Sequence, residues 1–398
     1  GFAILLLWAL GGLIAVCGSM TYAELGSALP RSGGEYNFLT EIYHPSAGFI
    51  SGWISATIGF SAPTALAAIT FSTYLLTIFP EINNDWLRKI IACSLIVILA
   101  FIHSSNRKSS GGLQMIFTVM KVGVIILFCF GAILFAKNIQ PVSFSPNSND
   151  ISTIFSGSFA VSLIYVSYAY TGWNAATYLS SEIERPQKYL PLILISGTTI
   201  VTVLYILLNF VFLSVAPIED MQGKIEIGFI AAQSAFGGSV ANFTGLVLSL
   251  LLISTVSAMT IAGPRVLQVI GEDFKVLNIL SIKRKDGIPS TAIYIQSLIA
   301  IIFILSSSFE SILVFAGFTL ALNSFVTVIA VFVLRSKQPN LPRPYKTFGY
   351  PFTPLIYLAL TGWTLYFVII NRPIEVLFSL GIILSGLIFY YFSNRKNY

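Results

Sequence analysis

The chain has 398 residues, 56% of them hydrophobic and only 10% charged, with a formal net charge of +6. A soluble protein of this length needs far more charge to cover its surface. The sequence contains no Gly-rich phosphate loop, nucleophile elbow or paired-carboxylate motif, so an enzyme and a cofactor requirement are both disfavoured.

Apolar runs matching the roughly 20 residues a helix needs to cross a bilayer fall at 1–22, 46–79, 88–104, 113–136, 154–180, 189–215, 229–265, 291–307, 311–334, 351–370 and 374–392. The first run opens on Gly1 with no charged flank, so at least one helix is expected upstream. Cys17, Cys93 and Cys129 all lie inside apolar runs, which disfavours a disulfide framework. His44 and His103 sit at span ends without a second ligand at metal spacing, and no metal site is expected.

Lys121 stands nine residues into the run at 113–136, about 12 Å along a helix. Its stem reaches part of the way to the membrane surface by snorkelling. Burial there would instead ease its deprotonation and suit it to proton coupling.

The run at 154–180 abandons aliphatic residues midway for Tyr170, Thr171, Gly172, Trp173 and Asn174. A polar, glycine-containing interruption inside a span is costly unless its freed backbone groups are used. Residues 154–168 suit one half-helix and Ala175 starts another. Carbonyls near Tyr168 and Ala169 then attract a cation, and amides near Trp173 and Asn174 an anion, a pairing that suits an α-amino acid. The competing reading makes Gly172 and Ala175 a small-residue helix contact. Asn174 is a neutral amide where a site for cationic side chains would favour a carboxylate, and the aromatic neighbours fit a neutral side chain.

Farther along, Ser254, Thr255 and Ser257 are hydroxyls inside the run at 229–265, a common packing choice in membrane helices. The loop at 335–350 is proline-rich and basic, a stiff connector. Of the 22 Lys and Arg, 16 fall on one set of alternate loops (23–45, 104–112, 181–188, 265–290, 335–350 and the tail) and five on the other, with Lys121 inside a span. By the positive-inside rule the basic loops and the C-terminus are cytoplasmic. The charge thus reflects membrane topology, and no nucleic-acid partner is expected.

The segment YAYTGWNAATYLSSEIERPQKYLP at 168–191 resembles the sixth helix of the amino acid–polyamine–organocation superfamily, most of all its L-type amino acid transporter group. TYAELGSALPRSGGEYNFLTEIYHPSAGFISGW at 21–53, AGPRVLQVIGEDF at 262–274 and LPRPYKTFGYPFTPLIY at 341–357 agree with it, so the resemblance covers essentially the whole chain. It implies an all-α polytopic membrane protein with a LeuT-like five-plus-five inverted repeat plus two helices, about eleven of twelve spans being present. Residues 1–398 then form one transporter domain, with 1–136 as the remainder of the first repeat, 154–334 as the second, and 351–392 as the two additional helices. The absent span is the family's first helix, whose glycine-rich stretch binds the substrate carboxylate.

The resemblance also implies residue roles. Residues 168–174 bind substrate, with Tyr170 and Trp173 closing over it and Asn174 as a polar contact. Lys121, in TVMKVGVII, stands where sodium sits in related carriers, facing the hydroxyls of Ser254 and Thr255. Glu24, Glu35 and Glu182 take gate or loop-anchoring roles. The spans at 113–136 and 311–334 also shape the pocket. The outward loop PEINNDW lacks the cysteine that links several animal members to a glycoprotein, so no disulfide-linked subunit is expected. The function implied is sodium-independent transport of neutral L-amino acids across the plasma (inner) membrane, by exchange or with protons. The alternatives are a cationic amino acid or polyamine carrier and, from another class, a channel or non-transporting sensor.

Overall fold

Apolar segments without water to bond must satisfy their backbone internally, and helices do so. The computed structural model describes residues 1–105, 110–136, 139–284 and 287–395, and among them there are helices and no strand. The basic residues Arg107, Lys108, Lys137, Lys285 and Lys396 counted above lie outside the described residues. In chain order the helices are α1 Phe2–Ala28, α2 Glu35–Ile42, α3 Pro45–Ile54, α4 Ser61–Leu76, α5 Asp85–Ser105, α6 Ser110–Phe135, α7 Ser148–Ile154 and α8 Gly157–Ala169. There follow α9 Pro186–Val215, α10 Ile218–Met221, α11 Ile227–Phe236, α12 Gly238–Asp273, α13 Ser290–Ser306, α14 Phe309–Lys337, α15 Phe352–Asn371 and α16 Pro373–Arg395.

Among the described residues nine helical stretches are long and apolar enough to cross a membrane, with α8, α11 and α13 as shorter apolar helices. Each of the eleven expected runs meets a helix, but three details differ. The run at 229–265 is divided, because Gly237 takes φ +94° and ends α11 before α12 begins. The first run continues through Thr21–Ala28, whose polar groups are buried against other elements. The run at 46–79 carries a π-turn at Ser55–Gly59 between α3 and α4, an irregularity that apolar content alone does not reveal.

Packing joins α1 to α9, α4 to α12 and α5 to α13. Small residues allow the first of these approaches: a β-carbon on Gly26 would lie 2.6 Å from Leu190, and one on Gly12 would meet Thr202. Helices α1, α8, α9, α14 and α15 share the largest buried cluster, which includes Tyr22, Leu25, Leu163, Tyr170, Leu190, Val331 and Tyr357.

Polar contacts sort the loops onto two faces. Arg31 pairs with Asp273, Arg265 with Glu182 and Lys283 with Glu272, and Arg284 donates to the Ser104 carbonyl. These contacts, with Lys337 on the Ile42 carbonyl, gather the basic loops on one face. Arg372–Glu310 and Lys89 on the Leu305 carbonyl belong to the other.

Glu24 anchors the basic face. Its carboxylate is fully buried and accepts from Arg335 Nε at 2.8 Å, Arg335 Nη2 at 2.7 Å and the Thr347 amide at 2.7 Å. Arg335 also lies 3.7 Å over the Tyr350 ring. The residue therefore ties α1 to the end of α14 and the 335–350 connector. Removing one partner of a buried pair costs about 3–5 kcal/mol, because the other charge is stranded. Glu24→Ala should lower the thermal unfolding midpoint in detergent, and Glu24→Ala/Arg335→Met should recover part of that loss. A double variant no more stable than Glu24→Ala would show that the pair is not the anchor.

Candidate functional site

Helix α8 ends at Ala169 and a 3₁₀ segment resumes at Ala175–Glu182, so residues 170–174 interrupt the span, and Tyr168 and Ala169, expected within the break, belong to the last turn of α8. Gly172 takes φ +95°, a conformation strained for L side chains, and a β-carbon there would meet nothing within 4 Å. Gly172 thus faces open space, which removes the helix-contact reading. The small-residue seams described above lie elsewhere.

The freed backbone groups divide into used and unused. The Tyr168 carbonyl accepts from the Thr171 amide at 2.9 Å and Thr171 Oγ1 at 2.7 Å, and the Ala169 carbonyl accepts from the Tyr205 hydroxyl at 3.1 Å. The two carbonyls expected to stand open for a cation are therefore already partnered, each by a hydroxyl that composition does not reveal as a neighbour. Ala175 donates to Gly172 and Thr177 to Asn174, both at 2.9 Å. Among the described residues, no backbone bond of the turn uses the amides of Gly172, Trp173 or Asn174. Consecutive free amides beside open space form an anion-binding concavity.

A cavity of about 120 Å³ opens at this turn. Ser167, Tyr168 and residues 170–175 form one wall, and Gly11, Ile14 and Ala15 of α1 form another. Gly59, Phe60 and Pro63 at the π-turn, Met259 of α12, Gly317, Leu320, Ala321 and Ser324 of α14, and Tyr357 and Thr361 of α15 close it. The expected contribution of 311–334 is present. Among the described residues the span at 113–136 contributes none of the lining, because α6 packs on the outer side of α9, α11 and α12. Among the described residues the Tyr168 hydroxyl oxygen is buried without a partner beside this space.

The aromatic residues assigned to closure have packing partners. Trp173 meets Tyr22 edge-on at 4.6 Å between ring centres and Tyr357 at 6.3 Å. Gly18 makes room for its ring, since a β-carbon there would lie 2.8 Å from it. The Tyr170 hydroxyl donates to the Trp8 carbonyl at 3.1 Å, and its ring joins those of Trp8 and Tyr205.

Asn174 leads to a residue whose contacts the sequence does not disclose. Its side-chain amide donates to Glu35 Oε1 at 2.6 Å, Tyr22 donates to the same oxygen at 3.0 Å, and Tyr178 donates to Oε2. Glu35 is 2% exposed and lines the cavity, yet these partners are all neutral. In sequence it stands in a charged loop beside Gly33 and Gly34, and nothing at 31–35 signals its contact with residues 140 positions away. The only clue is that α2 opens with it.

Lys121 donates to Thr255 Oγ1 at 2.8 Å, as its expected orientation toward α12 requires. Ser254 Oγ is buried and unpartnered, while Ser257 faces His103 Nε2 at 2.8 Å. This cluster is separate from the cavity lining. Glu24 lies in the anchor with Arg335, away from the cavity, which favours anchoring over gating for that residue. Glu182 forms a two-pronged pair with Arg265 Nη1 at 2.6 and 2.8 Å at the basic rim.

Residues 1–390 match the sequence profile of a family described as amino acid permease. The b(0,+)-type amino acid transporter 1 of Mus musculus is 28% identical over 403 residues, covering 97% of this chain and 80% of that protein. The large neutral amino acids transporter small subunit 2 of Oryctolagus cuniculus is 28% identical over 410 residues, covering 98% and 73%. Its Homo sapiens counterpart is 27% identical over 406 residues, covering 97% and 73%. A cavity at an unwound turn, in a bundle of apolar helices matched over nearly its whole length, identifies the chain as a member of the amino acid permease family, a multi-pass membrane transporter of amino acids and not an enzyme.

Proposed function

We propose that this permease carries neutral L-amino acids by alternating access, independently of sodium, by exchange or with protons. The observation that carries the reading is the turn at Gly172, where residues 172–174, whose amides no backbone bond of the turn uses, line a cavity walled largely by aromatic and aliphatic side chains. The amides receive the substrate carboxylate, while Ala169 stands outside the cavity lining with its carbonyl held by Tyr205. Residues 168–174 are thus the substrate-binding segment, with Trp173 closing the cavity toward α1. The relatives' names, which include large neutral amino acids, agree with this substrate class.

The packing supports a five-plus-five repeat. In each of the pairs α1 with α9, α4 with α12, and α5 with α13, the partners are separated by five spans in the order of the eleven runs. The repeats take in 1–136 and 154–334, followed by two further helices at 351–392. The excess of basic residues puts the face bearing Arg31, Arg265 and Arg335, and the C-terminus, in the cytoplasm of a cell whose plasma membrane holds the carrier. The cysteines Cys17 and Cys129 are buried and Cys93 is half-buried in α5, so the chain functions without a disulfide-linked subunit.

Glu35 favours a second reading, a carrier of cationic amino acids or polyamines. A buried carboxylate with neutral partners at the cavity wall is a natural counter-charge for a second ammonium. Counterflow with the full chain in liposomes decides between them: leucine is expected to compete, and lysine or putrescine outcompeting it would reverse the assignment. Gly172→Leu forces a side chain into a strained backbone at the amides, and Trp173→Ala opens the cavity wall. Each should reduce uptake at least about tenfold, equivalent to 1.4 kcal/mol, with folding unchanged by size-exclusion profile. Full uptake by both variants would remove the site assignment.

Lys121, held by Thr255 in α12, occupies in this reading the place of a sodium ion. Replacing sodium with choline on both sides of the membrane should leave uptake unchanged. A strong dependence on sodium would refute that role.

A further inference from the structure

Two cavities lie on either side of one side chain. Tyr178 lines both the cavity at Gly172 and a second, polar cavity of about 460 Å³ that opens at the basic face between the 3₁₀ segment, α12 and α13. The second cavity is bordered by Ser32, Glu182, Arg265, Gln268 and Lys283. Tyr178 is therefore the partition between the substrate space and the basic-face entrance.

Its position is fixed from the α2 side. Glu35 Oε2 accepts from the Tyr178 hydroxyl, while Oε1 accepts from Asn174 at 2.6 Å and Tyr22 at 3.0 Å. Gly34, one residue earlier, has φ +55°, and a β-carbon on it would lie 2.5 Å from the Tyr178 ring. Its amide donates to the Thr177 carbonyl at 3.3 Å. Ser32 Oγ accepts from the Ser181 amide at 3.0 Å. The loop before α2 thus lies along residues 177–181, and Glu35 holds their central ring. Phe60, at the π-turn, supports the other side of that ring at 5.7 Å.

We propose that Glu35 is the latch of the basic-face gate, holding Tyr178 across the passage through its carboxylate. Oε1 is already held by Asn174 and Tyr22, so the carboxyl is fixed in place where it meets the Tyr178 hydroxyl. Its partners are neutral, so the gate opens by breaking hydrogen bonds without separating a buried ion pair. Glu182–Arg265 at the rim is solvent-exposed and contributes little to closure. The proposal rests on the transport reading only for the identity of what passes the gate.

The test reads solvent access. In the full chain carrying Cys17→Ala, Cys93→Ala and Cys129→Ala, a Ser167→Cys reporter places one thiol on the cavity wall. Labelling by a membrane-impermeant maleimide is timed in sealed vesicles of each orientation. Tyr178→Phe and Glu35→Gln should each raise labelling from the basic-loop side about tenfold, the population shift expected from losing one hydrogen bond to a charged group. Unchanged labelling in Tyr178→Phe overturns the latch, as does a rise in Glu35→Gln alone. Should Glu35→Gln fail to fold, Tyr178→Phe decides by itself, because it removes a single hydroxyl. Uptake measured in parallel separates the two claims: altered access without amino acid transport would remove the transport reading and leave the latch.

Discussion

A backbone amide or carbonyl without a partner in an apolar bundle costs several kcal/mol, and the turn at 170–174 frees several such groups together. The rest of the centre is arranged around that cost. Thr171 and Tyr205 supply hydroxyls to the carbonyls of Tyr168 and Ala169. Tyr170 donates across to α1, and Trp173 uses the space that Gly18 leaves in the same helix. The amides of 172–174 take part in no backbone bond of the turn, and their residues line the cavity.

The buried carboxylates divide by partner type. Glu24 meets guanidinium groups and a backbone amide, and Arg343 approaches it at 3.5 Å. Such a pair resists separation, because opening it strands a charge in the interior. Glu35 meets only hydroxyls and an amide. The same side-chain type therefore serves an ion-paired joint in one place and a contact with neutral donors in the other. Tyr36, the residue after Glu35, shows how α2 is held at its outer side. Burial and the neighbouring Asp273 carboxylate raise its hydroxyl pKa, keeping it a donor to Asp273 at 2.5 Å.

Apolar periodicity and composition were enough to read the helical runs, the break at 170–174 and the grouping of the loops, because each depends on residues close together in the chain. The orientation of Lys121 toward Thr255 came from the family resemblance and not from the run itself, since the two residues lie far apart in the chain. The Glu35 network was not legible, since Tyr22, Asn174 and Tyr178 meet it only through the packing of α1 and the loop before α2 against the 3₁₀ segment. The π-turn at Ser55–Gly59 was hidden because serine, threonine and glycine also occur inside regular membrane helices. Gly237 escaped notice because Phe236 and Val240 carry the apolar pattern past a short stretch of small residues.

The two halves of the broken span are tied at opposite ends. Tyr165 of α8 donates to Glu310 Oε1 at 2.7 Å, and Arg372 joins both on the face away from the basic loops. The 3₁₀ half is tied to Arg265 through Glu182 on the basic face. Both ion pairs are partly exposed, and pairs of that kind contribute about 1 kcal/mol or less. Between them lies Gly172, whose φ of +95° requires glycine and whose surroundings are open. Weak ties at the two ends and an open joint in the middle are what the proposed alternating access asks of this span.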